Sequence, residues 1–213
     1  QYHANHRYFK HNYLISNLYF SQGERYLSKS KATEVEGNNG LFNVMFLGAL
    51  IPAKGFHHVL EFWGDIKESI PGARLHVIGG ASLYGLSEDP ESNIPCEDLY
   101  ARKLLSIAKQ NSLDMKDVKF YGSLGSERFQ VYQLIDVAII NPTGISESFS
   151  FNLHECLDFG IPVVASGDYG LGDTMRYIPH LSISHPSEIV EKVSLVYSDR
   201  DLKHAYKIKS KSI

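Results

Sequence analysis

From residue 43 to residue 198, short apolar runs alternate with longer segments of helical spacing. NVMFLG (43–48), ARLHVIGG (73–80), VKFYG (118–122), DVAIINP (136–142), IPVVAS (161–166) and HLSIS (180–184) read as strands. FHHVLEFWGDIKESI (56–70), LYARKLLSIAKQNSL (99–113), SERFQVYQLI (126–135), FNLHECLDFG (151–160) and PSEIVEKVSLVYS (186–198) read as helices, the last with Pro in its first turn. Strands that are apolar along their whole length are covered on both faces. Strand–helix–strand units close by right-handed crossovers into a parallel sheet. The pattern predicts an α/β fold: a Rossmann-like, doubly wound parallel sheet of about six strands with helices on both faces.

The alternation leaves three regions. Residues 1–40 read as an N-terminal remnant and connector: YLISNLYF (13–20) has the look of a short strand, and SKSKATEVEGNNG (28–40) is a polar linker. Residues 41–200 form the sheet domain, and 201–213 a basic tail. The loop at 81–98 is long and polar. His3, His6 and His11 read as solvated side chains, and the missing initiator Met points to a fragment or a processed chain.

Composition excludes several function classes. With 213 residues, 43% hydrophobic and 21% charged, the chain has room for one large domain, or one domain and part of another. The net charge of −3 provides no broad field for nucleic acid or an anionic membrane. No apolar run approaches the ~20 residues of a membrane span. Cys96 and Cys156 lack metal-ligand spacing, so no metal is expected, and a reduced cytoplasmic protein is the simplest reading. His154 has no second His four residues on, and no G-x-S-x-G elbow or Walker loop is present. Asp199–Arg200–Asp201 has a D-x-D form but follows the last helix rather than an apolar strand, so it reads as a helix terminus.

In a doubly wound sheet, ligands bind beyond the carboxyl ends of the strands. The first strand ends in GALIPAKGF, where Gly48 permits close backbone approach and Lys54–Gly55 stand at a helix entrance. A cation beside free helix N–H groups suits a phosphate, although a Lys-Gly pair there is also an ordinary solvated helix start. The second strand ends in Gly79–Gly80, and the third in a loop through Ser123 and Leu124; either is also consistent with a plain turn. The fourth ends in NPTGISESFSF, with Glu147 in the loop and Glu155 about one turn into the following helix, seven residues between them. Amides near 149–152, at the start of that helix, lack helical partners. Taken alone, the two glutamates read as a dipole-stabilising loop carboxylate and an ordinary surface residue.

The ordered set is more specific. Pro142, the Glu147-to-Glu155 spacing, Phe149, Gly160, Pro162, Val163, Val164 and Ser166, preceded by G-x-L-x-x-x-K-G at 48–55, IGG at 78–80 and FYGSL at 120–124, resembles the donor-binding domain of the retaining glycosyltransferases of family 4. The resemblance spans roughly residues 41–200. It implies one half of a GT-B fold. The implied reaction is metal-independent sugar transfer from a UDP- or GDP-sugar with retention, in polysaccharide or glycoconjugate biosynthesis, with no cofactor beyond that donor. By the same resemblance, Lys54 and Glu147 are catalytic: Lys54 stabilises the leaving diphosphate, and Glu147 meets the sugar near its reacting face. Gly48, Gly79 and Gly80 line the donor site. Amides of Ser148, Phe149, Ser150 and Phe151 hold sugar and phosphate oxygens, Glu155 takes the ribose hydroxyls, and Ser123 and Leu124 border the base. The implied partners are the nucleotide sugar and a missing N-terminal acceptor-binding domain, without which this donor half is inactive.

Three positions depart from the family pattern. Ala49 stands where members usually carry Arg, which removes one expected cation. Ser150 stands for Gly, and Cys156 for Ala, the latter read as packing. These departures keep a second reading open, a nucleotide-sugar-binding or structural module without turnover. The enzyme reading expects Lys54, Glu147 and Glu155 to face one cleft; the structural reading expects them scattered.

Overall fold

A computed structural model describes residues 41–80, 94–199, 201–202 and 205–206. The readings for 1–40, the loop through 81–93 and most of the basic tail lie outside the described residues.

Six parallel strands form one sheet: β1 (Phe42–Leu47), β2 (Ala73–Ile78), β3 (Val118–Phe120), β4 (Val137–Ile140), β5 (Val163–Ser166) and β6 (Ser182–Ile183). Their order is β3-β2-β1-β4-β5-β6. The chain therefore reverses direction across the sheet between β1 and β4, which pair with Val44 opposite Val137. This reversal opens a crevice at the strands' carboxyl ends. Val44, Met45 and Phe46 are all fully buried, as strands covered on both faces require.

The helices are α1 (Phe56–Glu61), α2 (Trp63–Ser69), α3 (Asp98–Gln110), α4 (Arg128–Tyr132), α5 (Phe151–Asp158), α6 (Tyr169–Met175) and α7 (Ile189–Ser198). Helix α1 packs on α3, and α2 on α7. The predicted helix over 56–70 is two helices broken at Phe62, whose amide bonds the carbonyls of His58 and Leu60. Leu60 and Trp63 on either side of the break are fully buried. Helix α6 was not anticipated, because Gly170 and Gly172 lower its helical propensity. Burial of Leu171 and Met175 holds it instead. Helix α7 ends at Ser198, and the Asp199 carboxylate accepts from the Leu202 amide, so this Asp caps the chain turn that follows.

Two buried histidines join elements. On β2, His76 donates from Nε2 to Asn43 Oδ1 (3.0 Å), and its Nδ1 accepts from the Tyr121 hydroxyl (2.9 Å). The amide side of Asn43 donates to the Leu134 carbonyl, and its backbone N–H to Asp136 Oδ2. On α1, His57 Nδ1 lies 3.0 Å from the Tyr100 hydroxyl of α3. Burial, with smaller help from neighbouring cations, lowers the pKa of each histidine to about 4. The neighbours that add to this are His58 and Lys103 for His57, and Lys119 and Arg74 for His76. The folded pKa lies below the unfolded value, so protonation favours the unfolded chain. Their stabilisation is complete above about pH 6.5 and is lost as pH falls towards 4. We expect a loss of about 2 kcal/mol per histidine between pH 7 and pH 5. Urea unfolding midpoints across that range measure it, and a flat profile contradicts it.

Candidate functional site

At the β1/β4 reversal lies a cleft of about 340 Å³, within the size range of small-molecule sites. Three segments line it: Leu47–Ala49 after β1 with Ile51 and Lys54, Ile140–Asn141 at the end of β4, and Ser146, Glu147 and Phe149 to Asn152 leading into α5. Among the described residues that line it, Lys54 is the only cation.

Lys54 reaches this position from the turn before α1. Its Nζ donates to Glu147 Oε2 (3.0 Å) and to the Ser146 carbonyl (2.8 Å). The Thr143 hydroxyl donates to the Ala53 carbonyl at 2.6 Å, which ties the Lys54 turn to the loop after β4. Asn141 Nδ2 donates to the Ile145 carbonyl (3.0 Å) and lies 3.4 Å from Glu147 Oε2. Asn141 (φ 41) and Ser146 (φ 57) both hold left-handed backbone without being glycine. Such strain persists only where surrounding contacts impose it, and it concentrates at ligand sites. From the far side, the Gly170 amide bonds the Glu147 carbonyl (3.1 Å), and a Cβ on Gly170 would stand 2.2 Å from the Ser148 carbonyl. Helix α6 therefore packs directly against the backbone that carries Glu147.

Ser150 caps α5. Its hydroxyl accepts from the Leu153 amide at 3.3 Å, so this side chain serves the helix end. Among the described residues, the backbone N–H groups of Ser148, Phe149, Ser150, Phe151 and Asn152 meet no acceptor. They stand at the positive end of the α5 dipole, beside Lys54. Phe149 stacks on His154 with centroids 4.4 Å apart. His154 Nδ1 donates to the Ser150 carbonyl (2.8 Å), and its Nε2 accepts from the Thr174 hydroxyl (3.1 Å). The aromatic pair is thus fixed on both sides. Phe151 is exposed at the mouth of the cleft.

The predicted residues divide into two groups. Gly48, Lys54, Glu147, Phe149, Ser150 and Phe151 line the cleft together, and Ser148 adjoins them as an exposed loop residue. Gly79 and Gly80 lie behind the first wall: the Leu50 amide bonds the Gly80 carbonyl, and the Gly79 amide bonds the Gly122 carbonyl. Ser123 and Leu124 follow β3 outside the lining residues. Glu155 is buried one turn beyond the lining and faces a different partner. Arg128 Nε and Nη2 donate to Glu155 Oε1 and Oε2, each at 2.7 Å, and the Tyr132 hydroxyl donates to Oε1 at 2.7 Å. This bidentate bond holds Arg128 more firmly in its charged form, and burial pushes the Tyr132 phenol up. The Cys156 thiol is also pushed up by burial, consistent with a packing role. Arg128, Tyr132, Asn141 and Thr143 were not anticipated. Asn141 carried a weak signal as a polar residue at a strand's carboxyl end; the other three carried none.

The profile of the glycosyl transferases group 1 family matches residues 29–212. The chain belongs to this family. No curated protein matches it at the sequence level. Among solved structures, this group 1 chain superposes on the C-terminal domain of a glycosyl transferase group 1 family protein (LpcC) from Francisella tularensis. The TM-score is 0.60 at 18% identity, covering 79% of this chain and 82% of that domain. Anabaena HepE, solved with UDP, gives TM-score 0.60 at 18% identity, covering 81% of this chain and 44% of HepE. The O-GlcNAc transferase of Thermobaculum terrenum gives 0.59 at 17% identity, covering 83% and 32%. The group 1 chain thus spans about a third to under a half of these two larger proteins, and at these identities the likeness establishes the fold. The predicted α/β architecture, a doubly wound parallel sheet like that of GT-B C-terminal domains, is the one observed. No described helix is long and apolar enough to cross a membrane.

Proposed function

We propose that this chain is the donor-binding half of a retaining glycosyltransferase of family 4, taking a sugar from a UDP- or GDP-sugar without a metal ion. The single observation that carries the reading is the Lys54–Glu147 pair at the β1/β4 reversal, 3.0 Å apart and set beside the unpaired amides of Ser148 to Asn152. A nucleotide diphosphate sugar supplies one complement for each part. Its diphosphate meets Lys54 and the α5 amides, and its sugar hydroxyls meet Glu147. HepE, of similar fold, was solved with UDP, which supports a nucleotide as the ligand class.

The chemistry follows from charge. When the bond between the anomeric carbon and the β-phosphate oxygen breaks, its electron pair stays on the diphosphate. Fixed dipoles and a cation aimed at that oxygen lower the barrier with little reorganisation. In this pairing Glu147 also holds Lys54 in place, and a bound sugar exchanges part of that contact for its own hydroxyls. Ala49 lies on the cleft wall and supplies no second cation. Among the described residues, Lys54 and the amides therefore carry this stabilisation.

The test is turnover by the enzyme with its acceptor-binding domain, using UDP- and GDP-hexoses with and without EDTA, the product anomer being read by proton NMR. The reading expects the donor's anomeric configuration in the product and an unchanged rate in EDTA. An inverted product, or a rate abolished by EDTA and restored by a divalent cation, overturns the corresponding part.

A further inference from the structure

Thr143 stands outside the cleft lining, yet its hydroxyl joins the two segments that carry the charged pair. Its single proton lies 2.6 Å, oxygen to oxygen, from the Ala53 carbonyl, with Asn141 Oδ1 a longer second acceptor at 2.9 Å. The same oxygen accepts from the Ile145 amide at 3.1 Å. Beside it, a Cβ on Gly55 would stand 2.7 Å from the Thr143 methyl and 3.1 Å from the Pro142 ring, so the Lys54–Gly55 turn packs on this loop with no room for a side chain between. The turn is thus held to the loop after β4 at two points. At its tip, Lys54 Nζ bonds the Ser146 carbonyl and Glu147 Oε2. At its base, the Ala53 carbonyl accepts from Thr143. A phosphate bound in the cleft competes with the tip contacts for the ammonium's three protons. It leaves the base contact untouched.

On the reading that the cleft takes a nucleotide sugar, we propose that Thr143 is a positioning residue for Lys54: its hydroxyl fixes the turn, so that the ammonium stays at the terminal phosphate when a ligand displaces the tip contacts. Two consequences separate this role from general support of the loop. The effect of Thr143 runs through Lys54, so it is no larger than the effect of removing Lys54, and it vanishes once Lys54 is gone. It also depends on the terminal phosphate, which a nucleoside monophosphate lacks.

The experiment is calorimetric titration of the 213-residue chain with UDP or GDP, whichever binds, and with the matching monophosphate. Thr143→Val puts a methyl in place of the donor, too close to the Ala53 carbonyl for the turn to keep its position. We expect the diphosphate to bind about 3–10-fold more weakly, as loss of one net hydrogen bond implies, and the monophosphate to stay within about twofold. Thr143→Ser keeps the hydroxyl and holds the diphosphate within about twofold of the unaltered chain. In a Lys54→Ala background, adding Thr143→Val changes diphosphate affinity by less than about twofold. Thr143→Ala removes the hydroxyl without the intruding methyl, so it reports the same pattern even where Thr143→Val does not fold. Equal weakening of both nucleotides, undiminished diphosphate affinity in Thr143→Val and Thr143→Ala, or a loss that persists without Lys54 overturns the proposal while the donor reading stands. Failure of the unaltered chain to bind any nucleotide overturns both.

Discussion

Lys54→Ala lowers kcat/KM for the nucleotide-sugar donor by about 10²–10³-fold, the range seen when one preorganised stabiliser of a developing oxyanion is removed. The magnitude follows from the setting. Lys54 is the only cation among the described residues lining the cleft, and Ala49 cannot substitute for it. The side chains of the pair are only 16% and 15% exposed, so solvent screens the charge poorly. Glu147→Gln gives a loss of similar order, because it weakens the hold on Lys54 and removes the carboxylate from the sugar side. Stability changes by about 1–3 kcal/mol, the cost of leaving one member of a mostly buried pair without its partner, and this loss leaves most of the protein folded under assay conditions. Steady-state kinetics over donor concentration, with thermal melts in parallel, separate the two effects. A variant that loses turnover only as far as it loses folded protein contradicts the assignment.

Gly79→Ala destabilises the fold by about 3–5 kcal/mol, at the upper end of single substitutions. A Cβ there would lie 1.8 Å from the Gly48 carbonyl oxygen, and φ is +145°, a region closed to alanine. No side chain can yield, because the obstacle is backbone. Either the β1 and β2 ends separate, opening the floor of the cleft at Gly48, or the sheet edge unravels. The expected drop in melting temperature is about 10–15 °C for a domain of this size. Gly64→Ala is the matched control: no atom within 4 Å meets its Cβ, and the residue is exposed on α2. There alanine stabilises by up to about 1 kcal/mol through helix propensity. A Gly79→Ala melt within 2 °C of the unaltered chain is inconsistent with this packing.

The sheet was legible because burial on both faces leaves a direct trace: each predicted strand from 43 to 184 overlaps an observed strand, the first starting one residue late. The strand ends overran by a residue or two, as apolar or glycine residues continue past the last ladder bond. Helix α6 left little trace, because its two glycines serve close packing rather than propensity. The site divides along the same line. Lys54, Glu147 and the α5 amides were legible because each lies at a strand end or helix start, where local sequence sets position. The partner of Glu155 was not, because Arg128 and Tyr132 project from a separate short helix, and only the packing of α4 against α5 brings them within 2.7 Å. Likewise Ser150 reads from sequence only as a departure from the family's Gly. In the structure its hydroxyl caps the helix whose free amides face that cleft.

The most direct measurement is calorimetric titration of this chain and its Lys54→Ala variant with UDP and with GDP. The account predicts saturable binding of one nucleotide by the unaltered chain, weakened about 10-fold or more in the variant. No binding of either nucleotide, or equal affinity with and without Lys54, contradicts a donor diphosphate seated at the β1/β4 cleft.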